Sequence, residues 1–63
     1  MSRRVRFVVR VEYLDKYTGA AHTAEHNQVA YAPVQAMAWI CDEYTSAGQI
    51  VRNASIVSQS DYD

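Results

Sequence analysis

Sixty-three residues, with two glycines, one cysteine and a formal net charge of −1, make room for one domain spanning residues 1–63. A chain of this size buries only about 60% of the surface its unfolded form exposes, which leaves little space for a substrate cleft, and a lone cysteine cannot close an internal disulfide. No run approaches the roughly 18 apolar residues of a membrane span, so no membrane contact is expected.

The start, MSRRVRFVV, is basic but lacks the apolar core and small-residue cleavage site of a signal peptide. The unpaired thiol, set in an apolar pattern, points to a reducing compartment. Charge is unevenly spread. Residues 1–17 hold Arg3, Arg4, Arg6, Arg10 and Lys16 against Glu12 and Asp15, whereas residues 40–63 hold Arg52 against Asp42, Glu43, Asp61 and Asp63. Such polarity can steer a small protein toward a charged partner.

RRVRFVVRVEY alternates. Val5, Phe7, Val9, Val11 and Tyr13 share one face, and Arg4, Arg6, Val8, Arg10 and Glu12 share the other. Alternation with β-branched enrichment predicts a strand near 3–14. LDKYTG supplies a turn, with Gly19 free to take a positive φ. AHTAEHNQVAY is read as a second strand near 21–31, hairpin-paired to the first and at the sheet edge. Its polar start specifies register weakly.

Pro33 suits the first position of a helix, expected near 33–47, with Ala32 as a poor cap. At about 100° per residue, Val34, Met37, Ala38, Ile40, Cys41 and Tyr44 fall within one arc of about 160°. Gly48 follows as the natural stop. Trp39 lands about 140° from Val34 by the same rotation, among Gln35, Asp42, Glu43 and Ser46. It is expected to be displayed.

QIVRNASIV predicts a third strand near 49–58 whose two faces are nearly tied. Ile50, Arg52, Ala54 and Ile56 compete with Val51, Asn53, Ser55 and Val57. If the second set faces the helix, Arg52 joins the first strand's arginines. The last residues, 59–63, are expected to fray.

The elements give an α+β fold of order ββαβ. A right-handed crossover from strand two to strand three passes over strand one and leaves it in the middle of a three-stranded antiparallel sheet. The helix packs on one face, and the other face is bare.

Catalytic and metal chemistry are not expected. HTAEH, residues 22–26, has the spacing of an inverted zinc-hydrolase motif, but that motif needs a helix. On a strand the two histidines lie about 13 Å apart, too far for one ion. Cys41 is expected to be a buried hydrophobe rather than an activated thiolate. Gly19 and Gly48, the only glycines, make no phosphate loop, and Asp42 and Glu43 sit together on the solvated face. The chain is read as a non-enzyme without metal or cofactor.

The expected site is therefore a surface. Arg4, Arg6 and Arg10, with Arg52 beside them, make a basic sheet face, and Trp39 is a second anchor on the opposite side. Arginine and aromatic residues are enriched at binding hot spots.

Several residues in this layout resemble those of the small RNA-polymerase inhibitors of podovirus-type phages. They are Phe7 in an alternating first strand, Tyr31–Ala32 before the helix, Ala36, Tyr44, and the Ala47–Gly48 stop leading into Val51. The resemblance covers roughly residues 6–57, with a helix about two residues shorter. It implies a ββαβ protein that binds and inhibits a host protein, RNA polymerase, in the host bacterial cytoplasm. Two arginines of that family's third strand fall at Asn53 and Ser55, and a glutamate near the end of its second strand falls at about Asn27, so those contacts do not transfer.

Other readings stay open. Some anti-CRISPR inhibitors use comparably small α+β scaffolds. The arginines could contact nucleic-acid phosphates, against a negative net charge and with only Tyr13 or Tyr17 available for stacking. The open face could also join two copies as a homodimer.

Overall fold

The structure is a computed structural model that describes residues 3–62; Met1, Ser2 and Asp63 lie outside the described residues. The elements run β1 (Val5–Leu14), β2 (Ala21–Ala30), α1 (Pro33–Ser46) and β3 (Ile50–Asp61). They form an antiparallel sheet of order β2-β1-β3. The ββαβ layout with a central first strand is as the alternation and the crossover rule require.

The β1–β2 turn is built by Asp15. Its Oδ1 accepts the N–H groups of Tyr17 and Thr18 at 2.8 and 3.1 Å. Those two bonds hold its carboxyl below the usual value of 3.8. The Gly19 N–H donates to the Asp15 carbonyl at 2.7 Å, and Gly19 takes φ +74°, open to glycine at no steric cost.

Pro33 opens α1 after an extended Ala32 that offers no side-chain cap. The chain compensates in part: the Tyr31 N–H donates to Gln35 Oε1 at 2.9 Å. At the other end, Gly48 N–H reaches the Thr45 carbonyl at 3.0 Å and Gln49 N–H reaches the Tyr44 carbonyl at 2.9 Å. With Gly48 at φ +86°, this is a Schellman stop.

The core is small: Phe7, Val9 and Val11 from β1, Ala30 from β2, and Ala36 and Ile40 from α1. Val5, Tyr13, Met37, Tyr44, Val51 and Ile56 pack around it. The helix thus buries Ala36 and Ile40, with Tyr44 half-buried in the same row, rotated from the expected arc. Ala36 is buried, whereas Val34 is 69% exposed and Ala38 is exposed. At about 100° per residue Val34 lies about 200° round the helix from Ala36, so burying Ala36 turns Val34 toward solvent. Cys41 is half-buried, not enclosed.

Strand β3 departs most from expectation. Its register against β1 shifts twice, between Val8/Val9 and between Glu12/Tyr13. Arg52 and Val57 have no partner in the pairing. Val51, Ala54 and Ile56 align with Tyr13, Val11 and Val9 on the helix face. Neither of the two competing sets faces the helix as a whole, because each bulge resets the alternation. Twelve residues of β3 therefore serve ten of β1. The strand consequently continues through Gln59, Ser60 and Asp61, which pair with Phe7, Arg6 and Val5. The Tyr62 N–H adds a bond to the Arg4 carbonyl at 3.3 Å. The segment from 59 to 62, expected to fray, is tied to the start of β1.

Candidate interaction face of the sheet

The β1–β2 register places Arg6, Val8, Arg10 and Glu12 beside Val29, Asn27, Glu25 and Thr23 on the face away from α1. On the other side of β1 stand Ser60, Ser58, Ser55 and Asn53. Among the described residues no other element packs on this face.

The structure divides the four arginines expected there into three groups. Arg4 and Arg6 lie with their guanidinium carbons 4.9 and 5.4 Å from the centre of the Tyr62 ring. Both distances are within cation–π range. Arg10 lies about 13 Å along β1 from Arg6, at about 3.3 Å per residue, and is held by Glu25. Its Nη2 and Nε donate to Glu25 Oε2 at 2.9 and 3.1 Å. Arg52 is the bulged residue at the far end, where it lines a shallow cavity of about 470 Å³ with Glu12, Thr23 and Asn53. Arg4 and Arg6 are thus the two arginines that share one aromatic ring. Trp39 is 44% exposed, displayed from α1 on the opposite side of the sheet.

Tyr62 is the residue that sequence reasoning missed. It sits beyond a polar run, SQSD, and was assigned to the tail. Ten partners for a ten-residue central strand end near residue 59, so only the two skipped residues of β3 carry the strand on to Asp61 and bring Tyr62 to Arg4.

The helix face holds a second cluster. The Tyr13 and Tyr44 rings lie 4.6 Å apart, with His22 at 5.4 Å from Tyr13 and His26 edge-on to Tyr44 at 5.4 Å. His26 Nε2 is hydrogen-bonded to Tyr44 Oη. Burial, with Tyr13 and Glu43 adjoining, raises the Tyr44 phenol above its usual 10.0. Tyr13, His26, Glu43 and Tyr44 line a cavity of about 270 Å³ with Ala47 and Gln49, whose Oε1 is buried without a donor. The histidines of HTAEH each face a different tyrosine. Among the described residues no three of His, Cys, Asp or Glu come together to hold a metal.

No protein-family model matches the chain, and neither a curated protein nor a solved structure matches it.

Proposed function

We propose that this chain is a binding protein, not an enzyme, that inhibits a host bacterial protein by docking an acidic surface against Arg4, Arg6 and Tyr62. The observation that carries this reading is the pair of guanidinium groups over one aromatic ring on a sheet face that no element covers. The aromatic limits the freedom of both arginines, so less rotamer entropy is lost on docking, and arginine and tyrosine are the residue types that dominate interface energetics. The resemblance to phage polymerase inhibitors makes bacterial RNA polymerase, in the host cytoplasm, the first target to try. Arg10 and Arg52 are assigned to the rim, since neither shares the Tyr62 ring and Arg52 lies at the far end of the sheet.

The test is capture of purified bacterial RNA polymerase on the immobilised chain. Arg6→Ala with Tyr62→Ala should weaken capture more than tenfold, consistent with about 2 kcal/mol for a hot-spot side chain. Arg10→Ala and Trp39→Ala should change it little. Loss of capture in the Trp39 variant alone would move the site to the helix.

Tyr62 also favours one rival. A ring flanked by arginines is what a single-stranded nucleic-acid platform uses, and a steep salt dependence of oligonucleotide binding would support it.

A further inference from the structure

We propose that the outer edge of β2, Ala21–Ala30, pairs with the same edge of a second copy to form a closed homodimer. This goes beyond the partner-binding face and does not depend on it.

Both outer strands present a row of backbone N–H and C=O groups, since β2 and β3 each have one neighbour in the sheet. Natural edges of this kind are protected by bulges, prolines, lysines or other charges. The two edges here differ. β3 is bulged twice, which twists and interrupts its outward row. β2 pairs with β1 through ten residues without a single register shift. It contains no proline, lysine or arginine, and its only acidic residue, Glu25, is neutralised by Arg10. The protection found on one edge is missing from the other.

The ends of the strand say which partner fits. Tyr17, in the turn before β2, is 81% exposed, and Tyr31, just after it, is 56% exposed. Antiparallel pairing about a two-fold axis through the middle of β2 sets each copy's Tyr31 level with the other copy's turn. Each end of the interface then carries one copy's exposed Tyr31 beside the turn that bears the other copy's exposed Tyr17, an isologous match. Assembly stops at two because β3 is blunted. The product is a six-stranded sheet with both helices on one side and both Arg4–Arg6–Tyr62 clusters on the other.

The shape of the chain agrees. Its Cα radius of gyration is 12.5 Å, against about 10.6 Å for a compact domain of this length. Pairing along the long edge would make the particle less elongated.

Light scattering over a concentration series should show the mass rising from 7.1 kDa to twice that. Thr23→Lys with Asn27→Lys adds charge at two exposed positions of β2 and should hold the chain at the monomer mass with its circular dichroism unchanged. Should that variant misfold, amide exchange on the unaltered chain decides. Alternate β2 amides should become slower as concentration rises. A mass fixed at 7.1 kDa, a folded lysine variant that still dimerises, or concentration-dependent protection on β3 instead of β2 would each overturn the proposal.

Discussion

Tyr44 packs on the ring of Tyr13 and is hydrogen-bonded to the imidazole of His26, while the neighbouring Glu43 carboxylate disfavours its ionised form. Its phenol pKa is raised, so the folded chain holds the proton more tightly than the unfolded chain, which loses it near 10.0. The stability from this group is complete below that pH and is lost as pH rises through the folded value. Urea melts between pH 8 and pH 11 should show a decline above about pH 10 that is reduced in Tyr44→Phe. At neutral pH the same variant should cost about 0.5–1.5 kcal/mol for the lost hydrogen bond to His26. An unchanged alkaline profile would show that Tyr44 ionises as freely in the fold as outside it. On the other face, Arg10 and Glu25 are each about half exposed, with side-chain accessibilities of 46% and 47%. Arg10→Ala should therefore cost no more than about 1 kcal/mol.

At the scale of elements, the change from period two to period 3.6 and back was legible, because the apolar positions of β1 and the proline and glycine bounding α1 all agree. The bulges were not. Two inserted residues, Arg52 and Val57, split the apolar positions of β3 between both parities, so a parity count returns a tie whatever the true fold. The common face of Arg4, Arg6 and Arg10 followed from alternation alone. The Arg10–Glu25 pair required the hairpin register, which the polar start of β2 does not fix. Tyr62 required knowing that β3 must lengthen to absorb its own bulges.

The helix stop can be tested at the same scale. Gly19 and Gly48 both have positive φ, and an added Cβ at Gly19 meets nothing within 4 Å. At Gly48 it meets Lys16 Nζ at 2.8 Å, which places the ammonium beside the carbonyl end of α1, where a cation is favourable. Gly19→Ala should cost about 1–2 kcal/mol of backbone strain. Gly48→Ala should cost about 0.3–1 kcal/mol more as Lys16 is displaced from the helix end. Equal denaturation midpoints for the two variants would mean that Lys16 adds nothing there.

For the whole molecule, the sheet offers two separate surfaces, a bare face and an open edge, and they rest on different physics. The docking proposed on Arg4, Arg6 and Tyr62 would be electrostatic and exposed. It should weaken as salt rises, since the Debye length falls from about 8 Å at physiological ionic strength to about 3 Å at 1 M. Pairing along β2 rests on backbone hydrogen bonds between strands whose single acidic residue, Glu25, is already matched by Arg10, and should barely respond. The variants should separate in the same way. Arg6→Ala with Tyr62→Ala should lose the partner and keep the dimer mass. Thr23→Lys with Asn27→Lys should lose the dimer and keep the partner when the partner is free in solution. With the partner crowded on a surface, the lysine variant should also dissociate faster, because two clusters on one side of a six-stranded sheet make binding bivalent. If salt dissolves the dimer while partner capture persists, the two surfaces have been assigned the wrong way round.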